Sequence, residues 1–434
     1  LRFPRFRQRP RRPLPWPAWP LWEEDPAFAL ERHIHALTLS DGDGDEALRL
    51  AFQELMSEPL PEDRPLWSLH LLGNGESGRA LVLRFEHALA DGRAMMAVIA
   101  ALTDAAPDAV WWEPAPEPLQ SPLLAATLGA YALATQTPAL ARRGLGWVRH
   151  PLYAAGWSAR AARALGKLLL APPDPQTILR GRFDTTNRVA WSDPIPLADV
   201  KAVGKALGAT VNDIMLSAMS GGFRRYLLAR GADPAGLALR SVTPVDMRGQ
   251  GDASGLGNWF GLVFLTLPVG VEDPVERLQT LHEDMTAIKH TPEAWVSLGI
   301  LQGLGLVPGR LERAGVRFFG AKGTATMTNV RGPAQPRYLA GRRIRRALFA
   351  VPHPGDLAIG MSIFSYAGEI SVTLNTAAAV IPHPEDIITG FHADFRALQR
   401  AVGRKTPSPQ PAPLSHRGAQ ATISPTSPKT PIAA

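Results

Sequence analysis

Cysteine is missing from this chain of 434 residues. Its absence excludes disulfides, thiolate metal sites and a cysteine nucleophile. A disulfide-free chain suits the cytosol best, though not uniquely. Long apolar runs are missing too. A membrane-spanning helix needs roughly 20 consecutive apolar residues. The longest candidates, Leu123 to Ala134 and Val296 to Val307, are shorter and broken by Gly or polar residues. Neither a signal peptide pattern nor a repeat of solenoid period is visible. Acidic residues are outnumbered, 39 against 46 basic, for a net charge of +7. That sign suits nucleic acid, an anionic membrane surface or a phosphate-bearing small molecule. The excess is mostly Arg spread along the chain, with local groups at 2–12 and 342–346, so charge alone does not choose.

What is present reads as a globular protein. Hydrophobic residues make up 45% and charged residues 20%, enough for a sizeable core in two or three domains or one large two-lobed unit. Residues 1–35 are rich in Arg, Pro and Trp and read as extended, with Trp16, Trp19 and Trp22 as packing anchors. The opening Leu1-Arg2-Phe3-Pro4-Arg5-Phe6 has the character of mid-domain sequence, so the true N-terminus is expected to be missing.

Asp41 to Asp45 reads as a turn, and helical spacing predicts helices over Glu46–Ser57 and Gly92–Leu102. Strands are expected at Leu69–Leu72 and Ala80–His87, around a Gly73–Gly78 turn. Residues 123–170 are Ala- and Leu-rich and helical, as crossover helices between lobes or as a membrane-facing surface. Prolines at 171–177 suggest a boundary. Beyond it, helices are predicted at Leu197–Leu207, from Thr210-Val211-Asn212-Asp213 onward, at Asp273–Lys289 and at Pro384–Val402. Thr210 or Asn212 can cap the second of these. Strands are predicted at Arg240–Val245, Leu262–Val269, Thr324–Asn329, Ala358–Ser365 and Glu369–Asn375. The expected organisation is an N-terminal lobe over 1–170, a C-terminal lobe over 178–403 and a disordered tail over 404–434, rich in Pro, Ser, Thr and Ala.

The segment Phe85-Glu86-His87-Ala88-Leu89-Ala90-Asp91-Gly92 stands out for chemistry. In the strand over Ala80–His87, alternation puts His87 in an apolar row with Leu81, Leu83 and Phe85, facing the interior, and Glu86 on the other face with Val82 and Arg84. A histidine at the end of a dry strand suits general-base work, since its ordinary pKa lies near working pH. Asp91 can brace the turn that follows, and Gly92 permits unusual backbone angles. The bland alternative is a satisfied core histidine beside a structural turn, which the whole string makes less attractive.

Other candidates are weaker. His33 and His35 share the spacing of one strand face, but no third metal ligand is evident and packing is preferred. Arg248 is a candidate brace for Asp91, and equally a surface arginine. Gly341-Arg342-Arg343-Ile344-Arg345-Arg346 suits coenzyme phosphates or an anionic bilayer as readily as a solvated strand edge. Met95, Met96, Met215, Met219, Trp259 and Phe260 are candidates for lining an apolar pocket, with plain core as the alternative.

The string around His87 resembles the H-H-x-x-x-D-G motif of the coenzyme-A-dependent acyltransferase superfamily, which includes chloramphenicol acetyltransferase and peptide-synthetase condensation domains. It is similar most closely to bacterial wax ester synthase/diacylglycerol acyltransferases. Pro65-Leu66-Trp67 resembles that family's P-L-W signature, Asn212-Asp213 its N-D helix motif, and Thr328-Asn329-Val330-Arg331-Gly332-Pro333 its S-N-V-x-G-P motif. Gly360 to Asn375 resembles its late hairpin. Four motifs in order, over roughly residues 1–400, form a specific signal.

The resemblance implies an α/β (α+β) fold of two chloramphenicol-acetyltransferase-like lobes, each a mixed sheet flanked by helices, with a tunnel between them. It implies transfer of a fatty acyl group from acyl-CoA to diacylglycerol or a long-chain alcohol, without a cofactor or metal. His87 would be the base beside Asp91 and Gly92. Thr328 and Asn329 would be oxyanion donors, and Asn212 would line or brace the site. Trp67 and Glu86 adjoin the motif. Glu86 replaces its first histidine, and is read as a surface or intersheet carboxylate rather than a modifier of activity. The implied station is cytoplasmic, with peripheral contact to a membrane or lipid-droplet surface, and no nucleic acid is expected.

Overall fold

The computed structural model describes residues 3–11, 21–39, 44–73, 80–109, 151–182, 185–247, 258–289, 291–305, 307–353 and 357–403. Trp16, Trp19, most of the two expected turns at 41–45 and 73–78, the part before Pro151 of the helical region expected over 123–170, Arg248 and the expected tail lie outside these residues.

The first lobe opens with β1 (Gln8–Arg11) and β2 (Leu21–Glu24), which pair antiparallel. Next come β3 (Ile34–Leu37), α1 (Asp45–Ser57), β4 (Trp67–Leu72), β5 (Ala80–Phe85) and α2 (Gly92–Leu102). β4 is central in a three-stranded sheet, parallel to β3 and antiparallel to β5. The period-two pattern sends each face to a different helix. Trp67, Leu69, Leu83 and Phe85 pack with Leu89, Met95 and Val98 around α2. Leu72 and Val82 pack with Leu48, Phe52 and Leu55 of α1.

After α3 (Pro151–Leu170), the second lobe carries β6 (Asn187–Trp191), β7 (Ile195–Pro196), α4 (Leu197–Leu207), α5 (Val211–Ala229), β8 (Leu239–Asp246) and β9 (Phe260–Leu267). Then follow α6 (Pro274–Lys289), α7 (Glu293–Leu304), α8 (Gly309–Gly320), β10 (Ala325–Arg331), β11 (Tyr338–Leu339) and β12 (Arg342–Arg343). The hairpin β13 (Ile359–Tyr366) and β14 (Glu369–Ala377) precedes α9 (Pro384–Ala401). Its turn residues Ala367 and Gly368 have φ of 49° and 86°, the positive values that a tight primed turn demands.

Seven of these strands form one mixed sheet in the order β6-β14-β13-β10-β8-β9, with β7 beside β14. One face of it is the main core. Met361, Ile363, Val372 and Leu374 meet Met215 and Met219 of α5 and Phe391 and Leu398 of α9. The lobes are joined where Gln53 of α1 accepts the amide of Val189 at 3.0 Å and Asn187 donates to the Met56 carbonyl at 3.0 Å.

The large sheet is forked. β10 pairs with β13 along its whole length, Ala325 to Arg331. It pairs with β8 only at Ala325 and Thr326. β8 continues to Asp246 beside β9. Past Thr326, a β8–β9 arm and a β10–β13 arm therefore separate, and no ladder bonds cross between their facing edges.

Two helices of the second lobe, α7 and α8, are not among the elements expected from the sequence. Gly299, Gly303, Gly309, Gly315 and Gly320 interrupt the segment, and glycine is a poor helix former. Tertiary packing supplies what propensity lacks: α7 lies on β9, with Ser297 Oγ accepting the amide of Leu262 at 2.7 Å.

Candidate active site

The strand end that presents His87 is anchored by the Pro-Leu-Trp segment. Trp67 is buried, pairs in register with Phe85, donates from its indole nitrogen to the Phe6 carbonyl at 2.8 Å and stacks on His33 at 4.5 Å. The amide of Glu86 donates to the Leu66 carbonyl at 2.9 Å, and the chain then turns, with Leu89 N donating to Glu86 O at 3.0 Å. The strand therefore stops at Phe85. His87 sits in the turn rather than in an alternating row. The turn leaves Glu86 exposed and His87 half-buried. Arg84 donates to the main-chain carbonyl of Glu58 rather than to Glu86.

The second lobe grips His87 from the other side. Asn258 donates from its amide nitrogen to the His87 carbonyl at 2.9 Å, and the Phe260 ring meets the imidazole edge-on, 5.4 Å between centroids. Asn258 went unnoticed in the sequence because it contacts backbone, which leaves no motif or period. The aromatic pair Trp259-Phe260 was the available signal.

Asp91, Gly92 and Arg93 form the first turn of α2, and they reach three different strands across the fork. Asp91 caps the helix, accepting from Ala94 N at 3.0 Å, while its other oxygen accepts from Trp259 N at 3.1 Å, just ahead of β9. Its negative charge also suits the positive end of the helix. Arg93 pairs with Asp246 at the end of β8, 2.7 Å apart, and this carboxylate, aided by Asp91, holds the guanidinium pKa above its ordinary value. Gly92 lies against β10: a Cβ there would stand 2.9 Å from Val330 Cγ2. Gly92 is not among the residues of positive φ. Glycine is thus required here for close approach and not for an unusual backbone angle. At the far end of α2, Arg337 donates to Thr103 Oγ1 at 3.0 Å and to the Ala100 carbonyl at 2.9 Å.

The remaining motif residues gather on the second lobe. α5 opens with a reciprocal cap: Asp213 N donates to Thr210 Oγ1 at 3.2 Å, and Thr210 N to Asp213 Oδ2 at 2.8 Å. The cap is Thr210, which leaves the Asn212 side chain to accept from Asn329 Nδ2 at 2.9 Å. Buried Asp213 also accepts from His282 Nδ1 at 2.7 Å. Thr328 and Asn329 are consecutive on β10 and so point to opposite faces. Asn329 faces the start of α5. Half-buried Thr328 shares the face of Val330, the side on which α2 lies.

Other expectations resolve as packing. His33 donates from Nδ1 to the Trp67 carbonyl at 2.9 Å, whereas His35 stacks on His70 at 4.9 Å. The two histidines sit on different faces, and no cluster of three metal-ligating side chains occurs among the described residues. Met95, Met215 and Met219 are buried in hydrophobic clusters. In the basic run, Arg342 and Arg343 are exposed on β12, while Arg346 donates to the Ser192 carbonyl and lies 3.7 Å from Asp45.

Comparison with known proteins bears directly on this arrangement. The profile of the wax ester synthase/diacylglycerol acyltransferase catalytic domain matches residues 2–215, and that of the family's C-terminal domain matches 256–399. The chain belongs to this family. A Mycobacterium tuberculosis protein provisionally named a diacylglycerol O-acyltransferase is 29% identical over 399 residues, covering 88% of this chain and 82% of that one. The wax ester synthase/diacylglycerol acyltransferase of Marinobacter aquaeolei VT8 superposes with a TM-score of 0.62 at 20% identity, over 92% of this chain and 86% of the other. A condensation domain of the calcium-dependent antibiotic synthetase gives a TM-score of 0.53 at 15% identity, over 92% and 84% of the two chains. These likenesses show the shared two-lobed α/β fold. The protein is thus an acyltransferase of the wax ester synthase/diacylglycerol acyltransferase family, and the His87–Gly92 turn lies within the part matched as its catalytic domain.

Proposed function

We propose that this acyltransferase moves a fatty acyl group from acyl-CoA to the hydroxyl of diacylglycerol or a long-chain alcohol, with His87 as general base. The observation that carries the reading is the double hold on His87. Its carbonyl is tied to Asn258 and its ring rests on Phe260, at the mouth of the fork. A base held in place by both lobes is poised for a substrate bound between them.

In the proposed reaction the imidazole takes the proton of the acceptor hydroxyl as its oxygen attacks the thioester carbon. The tetrahedral intermediate collapses with loss of the coenzyme thiolate, which recovers the proton from the imidazolium. The thioester is exchanged for an oxygen ester and no covalent enzyme intermediate forms. Oxyanion stabilisation falls to a donor on the second lobe. Thr328, on the α2 side of β10, is the better placed of the two side chains, and Asn329 acts with Asn212. Asp91 serves by fixing the turn and docking it to β9. Glu86, exposed beside the base, takes no part in this scheme.

The test uses palmitoyl-CoA with diacylglycerol or hexadecanol and reads product by mass spectrometry. His87→Ala should lower turnover by about 10²–10⁴-fold, the usual worth of a general base, with an unchanged melting temperature. Full activity in that variant would overturn the mechanism. An intact protein forming neither ester would favour a carrier-bound acceptor or a lipid-binding role. Glu86→His should leave turnover near that of the parent chain.

A further inference from the structure

α8 contributes no fully buried side chain. Leu311, Ala314 and Phe318 recur at i, i+3 and i+7, the spacing of one helical face. All three are exposed, Leu311 to 59% and Phe318 to 45%. The helix packs through the side next to this stripe, where a Cβ on Gly315 would stand 2.5 Å from Leu304 of α7, and Leu311, Ala314 and Phe318 remain exposed along its outer margin. Arg310, Arg313 and Arg317 lie along one edge of the apolar face and are exposed, while Glu312, the one acidic residue of the helix, lies toward the packed side and is half-buried.

The apolar surface continues onto α3. Lys322 places Nζ 4.1 Å from the centre of the Phe318 ring and donates to the carbonyls of Leu168 at 2.7 Å and Leu169 at 2.6 Å. Phe318 therefore lies beside the end of α3, where Leu169 and Leu170 are 45% and 85% exposed. A surface helix ordinarily turns its apolar stripe toward the core. Here Leu311, Ala314 and Phe318 stay exposed beside the terminal leucines of a second helix, with arginines along one edge.

We infer that α8 and the end of α3 form a docking surface for the anionic phospholipid face of a membrane. Leucine and phenylalanine reach the boundary between headgroups and acyl chains, and the arginines meet phosphate, as in interfacial helices. Charge argues against a second copy of this chain as the occupant, because a two-fold contact would bring like arginine bands together. No helix among the described residues is long and apolar enough to cross a membrane, so contact through this face is peripheral. The surface is also linked to the site. α8 packs on α7, α7 holds β9 through Ser297 and Leu262, and β9 begins at Phe260 against His87. The inference goes beyond the proposed reaction and stands whichever alcohol is the acceptor.

Vesicle flotation of the full chain tests it, with phosphatidylcholine alone and with added phosphatidylglycerol. The parent chain should float with the anionic vesicles, less at high salt, and far less with the neutral ones. Leu311→Glu/Phe318→Glu should stay in the soluble fraction. Arg310→Glu/Arg317→Glu should lower partitioning roughly thirtyfold or more, from ~1 kcal/mol per cation near an anionic surface. Arg310→Lys/Arg317→Lys should retain binding. Melting curves of the arginine variants should be unchanged, since those side chains are exposed. Activity on a water-soluble short-chain thioester and alcohol should also be unchanged, which separates failure of docking from failure of the proposed chemistry. The inference is overturned if the parent chain ignores anionic vesicles, or if the glutamate variants bind as well as it does. It is equally overturned if those variants instead convert a dimer to a monomer in light scattering.

Discussion

The backbone of Gly92 rests against the side chain of Val330, so closely that one added carbon would stand 2.9 Å from Cγ2. The contact joins the first turn of α2 to β10, two segments 238 positions apart in the chain by their numbers, 330 less 92. It gives the Asp-Gly pair a physical meaning: aspartate caps and bridges, and glycine lets the lobes close.

Gly92→Ala should therefore destabilise by overpacking, about 1–3 kcal/mol. Val330→Ala alone should cost a similar amount through lost packing. Combined, the two changes should cost clearly less than their sum, because the smaller partner makes room for the new methyl. Urea melts of the four proteins measure this. Strict additivity would rule out the contact as the reason for glycine.

Asp91 accepts two backbone amides, from Ala94 and Trp259. Asp91→Ala orphans both, at about 1 kcal/mol for the cap and about 0.5–1.5 kcal/mol for the part-buried bond from Trp259. Asp91→Asn keeps one amide oxygen for one of them. Thermal melts should rank parent, Asn, Ala in falling stability, and activity should follow. Equal melting of the two variants would remove the bridging role.

Asn212 and Asn329 should behave as a unit. Substituting either by Ala breaks one shared hydrogen bond, so the double variant should lose less kcat/KM than the product of the single losses, with a coupling of about 0.5–1.5 kcal/mol. Thr328→Val, on the opposite face of β10, should combine additively with Asn212→Ala. Coupling between Thr328 and Asn212 instead would contradict the separation of faces.

The motif order in the sequence pointed to the family, and hydrophobic periodicity located β8, β9, β10, β13, β14 and α9 to within a few residues. The fork was not legible. Whether β10 stays paired with β8 past Thr326 depends on how two distant strands diverge, and no local pattern records that. Alternation misplaced His87 because the chain leaves the ladder at Phe85, and the Glu86–Leu66 bond that ends it involves only backbone. The Asn212–Asn329 pairing was also out of reach, since a side-chain contact across lobe elements has no signature in either segment.

Stability should fall in acid through His70. Burial, with His35 and Arg84 nearby, lowers its pKa from 6.5 to about 4. In the unfolded chain this imidazole takes a proton near its ordinary pKa; in the fold it stays neutral until near 4. Between those values the unfolded state binds more protons, so stability is level above that window and declines as pH falls through it. The loss at about pH 5 is on the order of 2 kcal/mol. His70→Gln should lose less melting temperature than the parent chain between about pH 7.5 and 5. His33 and His353, also lowered by burial, should leave some acid sensitivity in the variant. An identical decline in both proteins would clear His70 of the effect.

The forked sheet has a consequence for solubility. Where β8 and β10 part, each arm presents a strand edge that pairs with no other strand among the described residues, and such edges recruit other strands. In the folded protein the start of α2 sits across that opening, held by Asp91, Gly92 and Arg93. The first lobe therefore shields the second from strand addition as well as supplying the proposed base. A second lobe produced by itself, or one whose partner lobe unfolds first on heating, would be the form of this protein most prone to aggregate.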